Sequence, residues 1–150
     1  MEEPTPIYVD RLQKKGVKPT AVRILVFRAL IQASCALSLP DLEELLVTVD
    51  KSTIFRTLTL FLSHHLVHAI EDGSGSLKYE VCPEEETCSI DDMHIHFYCE
   101  VCHRTFCFPS IHIPLIHLPE GFRMNSINYM VKGVCQECSV RFPNKKTGGL

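Results

Sequence analysis

The first part of the chain carries its apolar residues at helical spacing, and the remainder mostly at strand spacing. Residues 8–15 predict a short helix that stops at Gly16. Pro19-Thr20 opens a strongly apolar helix running to about Ile31. Thr20 is its expected N-cap, because a hydroxyl there accepts from backbone N–H groups of the first turn. Ser38-Leu39-Pro40-Asp41 reads as a capping box with Asp in place of the usual Glu. Leu42, Leu45, Leu46 and Val49 follow at i, i+3, i+4 and i+7, which predicts one buried stripe. Ser52 is the expected cap of the next helix, whose buried stripe is Ile54, Leu58, Phe61 and Leu62. Its opposite face holds Thr53, Arg56, Thr59 and Ser63, with Phe55 and Thr57 on the flanks.

The period then changes. Residues 66–71 and 77–81 predict two short strands around Asp72-Gly73-Ser74-Gly75-Ser76, a hairpin. Behind a helix–turn–helix pair such a hairpin is a wing. Residues 82–92, with Pro83 and Glu84-Glu85-Glu86, predict a hinge. Residues 93–98 and 104–108 predict a second hairpin, and 122–134 a long strand. Pro109, Pro114 and Pro119 disfavour a regular helix between them. The fold class is α+β. A winged helix–turn–helix domain over 1–81 and a hinge over 82–92 precede a small second domain over 93–142 and a disordered tail over 143–150.

Charge sharpens this division. Residues 11–28 hold Arg11, Lys14, Lys15, Lys18, Arg23 and Arg28 without an acid, whereas 71–92 hold eight acids against Lys78 alone. The basic stretch suits a polyanion and the acidic one a cation, although solvated faces also look like this. The second helix of the pair presents Arg and hydroxyls but no acid, the groups that meet phosphate oxygens and base edges in a major groove. A helical domain without a nucleic-acid role is the plainer alternative. Net charge is −3 and apolar content 45%, enough for a core. No apolar run approaches a membrane span, so no membrane partner is expected. The acidic start Met1-Glu2-Glu3-Pro4 has no signal-peptide pattern, and with 8 Cys this predicts a cytoplasmic protein whose thiolates bind metal instead of forming disulfides.

Cysteine spacing carries the strongest chemistry. Cys99 and Cys102 form one C-x-x-C, Cys135 and Cys138 another. Two such turns can aim four thiolates at one point, the closed tetrahedral arrangement of structural Zn²⁺. Residues 103–134 lie between the pairs, longer than a zinc-ribbon loop, so the metal would staple two ends of a folded unit. Just upstream, His94 and His96 alternate onto one strand face, a possible second site.

Taken together, these stretches resemble the ferric uptake regulator family, whose branches include zinc uptake regulators. The resemblance covers about residues 7–142. It runs through Gly16-Val17-Lys18-Pro19-Thr20, Arg23, Ser38 to Leu42, and Ser52-Thr53-Ile54-Phe55-Arg56-Thr57-Leu58, which is similar to the family's A-T-V-Y-R-x-L recognition helix. It continues in His94-x-His96-x-x-Cys99-x-x-Cys102 and Cys135-x-x-Cys138. The resemblance implies a homodimeric, metal-responsive repressor that binds a palindromic double-stranded DNA operator, with a C-terminal α/β dimerisation domain. Lys14, Lys15, Lys18, Thr20, Arg23, Ser52, Thr53, Phe55, Arg56 and Thr57 are the implied DNA contacts. The chain departs from the family in several places. Phe55 stands where Tyr is usual, and the proline-rich 109–119 replaces the dimerisation-domain helix. Ala36, beside Cys35, occupies the place of an iron-type His, and Cys107 that of a carboxylate. Met93 and Ile95 are not the His or Asp of the family's other site.

Zinc-type members place His or Asp before the wing, Cys after it, then His-x-His. The resemblance therefore implies His68, Cys82, His94 and His96 as regulatory ligands. Glu80, the iron-type carboxylate position, and Cys88 are alternates. Sulfur with imidazole favours Zn²⁺ over Fe²⁺. Expected cofactors are thus a structural Zn²⁺ and a regulatory Zn²⁺ or Fe²⁺. His64, His65, His112 and His117 lack a patterned partner and read as structural, and Cys35 and Cys107 as small buried hydrophobes. The leading expectation is a zinc-sensing repressor of metal-uptake genes, with an iron or peroxide sensor as the alternative. A zinc hydrolase built on His94 and His96 with Glu80 or Glu100, or a zinc-stabilised adaptor, belongs to other classes. No Gly-rich loop or oxyanion hole supports an enzyme.

Overall fold

The computed structural model describes residues 5–82, 94–125 and 127–144. The chain divides into two compact units, Met1–Cys88 and Ser89–Leu150. None of the helices among the described residues is long and apolar enough to cross a membrane.

The first unit begins with α1 (Thr5–Lys14) and α2 (Ala21–Gln32). Gly16 ends α1 in the left-handed region at φ +75°, and the Val17 N–H turns back to the Leu12 carbonyl at 2.9 Å. Thr20 caps α2, its hydroxyl accepting from the Arg23 N–H. Then come β1 (Leu37–Ser38), α3 (Leu39–Leu45) and α4 (Lys51–Ser63). The Ser38–Asp41 capping box forms, with the Ser38 N–H donating to Asp41 Oδ2 at 2.8 Å. Two local expectations change. Asp50, not Ser52, caps α4, accepting from the Thr53 N–H at 3.1 Å, because the helix starts one residue before Ser52. Leu45 ends α3 and is 59% exposed, so the stripe after Leu42 breaks there, while Leu46 and Val49 still reach the core. Tyr8, Leu12, Phe27, Leu42, Ile54, Leu58 and Phe61 make that core, with Phe27 edge-on to both Tyr8 and Phe61.

β2 (Val67–Ile70) and β3 (Lys78–Val81) form the wing hairpin, and β1 joins the other edge of β3 to give the order β1-β3-β2. At its neck lies a buried ion pair: Lys78 Nζ sits 2.7 Å from Asp72 Oδ2, with the side chains 7% and 0% exposed. Asp72 Oδ1 also accepts from the Ser74 N–H, which fixes the start of the loop.

In the second unit β4 (His94–Cys99) pairs antiparallel with β5 (Thr105–His112) and parallel with β6 (Met130–Gly133). β5 runs past Pro109, farther than the sequence predicts. An edge strand tolerates a missing donor, and the order β5-β4-β6 places β5 at an edge. The long strand expected over 122–134 is only Met130–Gly133, because β4 offers a pairing edge to those four residues alone. As expected, no described residue between β5 and β6 is helical. A helix that the pattern does not reveal, α5 (Gln136–Arg141), follows with Cys135 as N-cap. Six residues are too few to show a period, and Cys138 is the buried residue of this helix.

Candidate metal centres and nucleic-acid face

The β4–β5 turn and the start of α5 bring Cys99, Cys102, Cys135 and Cys138 together, with all four sulfurs within 4.8 Å of one another. Cys102 Sγ and Cys135 Sγ are 3.8 Å apart. That is about the edge of a tetrahedron built on Zn–S bonds of about 2.3 Å. His103 adopts φ +61° to close the turn, and its N–H returns to the Cys99 carbonyl at 2.8 Å. The N–H groups of Cys102 and Cys135 both point at Cys99 Sγ, at 3.5 and 3.3 Å. Burial pushes the Cys99 thiol up, but the N–H donors of Cys102, Cys135 and Val101 outweigh it and lower it to about 6. Cys138 is pushed up to about 12 by burial and by its hydrogen-bonded neighbours Cys135, Cys102 and Cys99. Four thiolates this close repel one another, and a bound cation offsets that repulsion. Donor set, spacing and burial all fit a structural zinc.

Arg104, which spacing alone did not mark, completes this centre. Its Nε–H donates to Cys102 Sγ at 3.3 Å and its Nη2 to Glu137 Oε2 at 2.6 Å. The Arg104 hydrogen bond, then the Arg104 and Arg141 charges, hold the Glu137 carboxyl below its usual range.

The regulatory candidates fall in both units. In the first, β2–β3 register sets His68 opposite Glu80, and His68 Nε2 lies 2.9 Å from Glu80 Oε2. The Cys82 N–H donates to the Leu66 carbonyl, which extends the ladder and leaves Cys82 Sγ 3.5 Å from His68 Nδ1. Glu80 and Cys82 therefore each take one nitrogen of the same ring. Contrary to the expectation of reduced thiols throughout, Cys82 is disulfide-bonded. A Cys82 thiolate exists only after reduction. Cys35, Cys99, Cys102, Cys107, Cys135 and Cys138 are not in disulfides. Cys88 and Met93 lie outside the described residues. In the second unit the rings of His94 and His96 are 6.4 Å apart on β4. Cys107 is only partly buried and lies directly opposite His96, so it shares that sheet face instead of filling a core. His64 is structural as expected, its Nδ1 2.8 Å from the Lys15 carbonyl.

On α4, Phe55 and Arg56 are exposed. The hydroxyls of Ser52 and Thr53 both donate to Asp50, which lowers that carboxyl to about 2. Arg56 reaches back to Thr53 Oγ1 at 3.5 Å. Thr57 is 6% exposed and its hydroxyl donates to the Thr53 carbonyl, so it faces the core and not a partner, since a hydroxyl on this helix flank can bond back one turn. Thr20 is occupied as a cap, and Arg23 Nη1 donates to the Lys18 carbonyl at 2.8 Å. Lys14 pairs with Asp10 at 2.9 Å, and Lys18 is exposed.

Comparison with known proteins agrees with this architecture. The Ferric uptake regulator family profile matches residues 14–128 and ends before the second C-x-x-C. No curated protein matches in sequence. Among solved structures, a zinc uptake regulator complexed with zinc and DNA is similar at TM-score 0.64 and 17% identity, covering 93% of this chain and 98% of that one. The Vibrio cholerae ferric uptake regulator gives TM-score 0.60 at 17% identity over 85% of this chain and 98% of that one. The Helicobacter pylori ferric uptake regulator, described as having three functional metal binding sites, gives 0.58 at 16% over 99% and 100%. The winged helix, the four-sulfur centre and a family match over most of the chain make this protein a member of the ferric uptake regulator family, metal-responsive transcription regulators and not enzymes.

Proposed function

We propose that the chain is a cytoplasmic, homodimeric, zinc-sensing repressor of metal-uptake genes. Cys99, Cys102, Cys135 and Cys138 hold a permanent zinc. A second, exchangeable zinc is held, once Cys82 is reduced, by His68 and Cys82 from the first unit and by His94 and His96 from the second. Occupancy then fixes the angle between the units, and in the dimer it sets the spacing of two α4 helices on a palindromic operator. Metal binding to that closed state biases the equilibrium. The observation that carries the reading is Cys82 Sγ beside the His68 ring, 3.5 Å from Nδ1. Sulfur with imidazole selects zinc over iron. Arg56 and Phe55, exposed on α4, are the proposed base or phosphate contacts, with Lys14, Lys15 and Lys18 on the flanking backbone.

A second reading rests on Glu80, which holds the other nitrogen of His68 at 2.9 Å. With Glu80 as the ligand the site gains an oxygen donor and suits Fe²⁺, the iron- or peroxide-sensing alternative. Two variants separate the readings. Reduced Cys82→Ser and Glu80→Ala proteins are titrated with buffered free zinc while operator binding is followed. For a zinc sensor, Cys82→Ser shifts the zinc needed for DNA binding by orders of magnitude, Glu80→Ala shifts it little, and both keep the Cys₄ zinc. The reverse pattern selects the iron-type site. Parental behaviour in both variants rejects a sensor spanning these residues.

A further inference from the structure

Three of the four centre cysteines are buried, whereas Cys102 is only partly so. Cys102 is therefore the sulfur through which an electrophile or oxidant reaches the cluster. It is also the sulfur that Arg104 touches, Nε to Sγ at 3.3 Å. The guanidinium is held on two further sides. Glu137 Oε2 takes Nη2 at 2.6 Å, and the Phe106 ring lies beneath Cζ at 5.3 Å from its centroid. Glu137 is itself bracketed by Cys135 and Cys138, so the clasp joins one C-x-x-C to the other from outside the sulfurs.

We infer that Arg104 is the outer-shell guard of the Cys₄ centre, donating an N–H···S bond to Cys102 that lowers the reactivity of this partly buried thiolate and opposes loss of the metal. The inference rests on the structural-zinc reading of the four cysteines. Its physical basis is charge. Four thiolates around a dication leave a net −2, and a guanidinium at hydrogen-bond distance offsets one unit of it. A sulfur lone pair engaged by an N–H donor is also less available to attack carbon or peroxide oxygen. An Arg suits this place because its planar fork can hold Cys102 and Glu137 at once.

The test uses full-length, zinc-loaded protein. Zinc content is measured first, then alkylation by iodoacetamide is followed cysteine by cysteine by mass spectrometry, alongside zinc release to a chromophoric chelator. Arg104→Gln should accelerate Cys102 alkylation about tenfold, the rate equivalent of about 1.4 kcal/mol and of one charge-assisted hydrogen bond. Cys99, Cys135 and Cys138 should react only after zinc leaves, and zinc release should track Cys102. Glu137→Gln, a change at an exposed residue, should give a smaller acceleration at the same cysteine, and Arg104→Lys should recover part of the protection. In cobalt-loaded Arg104→Gln the sulfur-to-metal charge-transfer band should move to longer wavelength. Equal acceleration of all four thiols from the first time point would mean general loosening and overturn the inference, as would parental rates in both Arg104→Gln and Glu137→Gln. A parent protein without zinc would instead remove the zinc reading on which it stands.

Discussion

The two units are held together by different physics. The first has an ordinary hydrophobic core, in which aromatic and aliphatic side chains from α1, α2, α3, α4 and the wing strands bury one another. In the second, the buried cluster among the described residues is Cys99, Cys135 and Cys138, with Phe97, Val101, Cys102, Phe106 and Val134 packed around it. The apolar side chains Phe97, Phe106, Phe108 and Val134 also line a groove of about 450 Å³. A domain this small cannot stabilise itself by area burial alone, and a metal is a common substitute. The first unit folds by excluding water; the second is expected to fold around its ion.

The largest effect should come from removing that ion. Apparent binding energies of structural zinc are on the order of 10–16 kcal/mol, most of it folding free energy. Strong chelation or Cys135→Ser should abolish hydrogen-exchange protection in β4, β5 and β6 and convert the dimer to monomer in sedimentation. The helices of the first unit should keep their protection. If the metal-free second unit stays protected, the contrast between the units is broken.

A smaller effect, confined to the first unit, should follow Asp72→Asn. The Asp72–Lys78 pair is 0% and 7% exposed, so the change takes the Asp72 charge away from a buried ammonium. Breaking a buried pair from one side costs about 3–5 kcal/mol. The denaturation midpoint of the first unit should fall by a corresponding amount while zinc content stays at the parental level. Adding Lys78→Met should recover much of the loss. A drop in zinc content would mean that the units are less separate than their cores suggest.

The smallest effect on stability, though not on function, belongs to Arg56→Ala. Arg56 is exposed and among the described residues reaches Thr53 alone, so folding and metal content should be unchanged. A lost base or phosphate contact costs about 1–3 kcal/mol, and a dimer loses two. Operator affinity in a shift assay should therefore fall steeply. Unchanged affinity would move the DNA face towards Lys14, Lys15 and Lys18.

These contrasts also explain what was readable before folding. The helices of the first unit followed from signals that act within a turn: Thr20 and Ser38 as caps, Gly16 as a stop, and the spacing of Ile54, Leu58 and Phe61. The cysteine pairs were equally plain, because C-x-x-C is a local turn that prepositions two sulfurs. Readings that failed needed information from farther away. The helix cap at Asp50 was missed for Ser52 because both residues suit a cap and only the path of the chain chooses. The strand expected over 122–134 shrank to Met130–Gly133 because a strand exists only where another strand pairs with it.

Residue types and their spacing were thus enough for a winged helix, a four-sulfur centre and a nearby His-x-His strand, since each is encoded within a few consecutive positions. Only the folded chain decides which groups meet across long separations. It sets Glu80 and Cys82 on opposite nitrogens of His68 through strand register. It turns Thr57 inward. It also closes Arg104 onto Cys102 and Glu137, the latter 33 residues away, a contact that no local pattern can announce because its energy depends on where the two C-x-x-C turns come to rest.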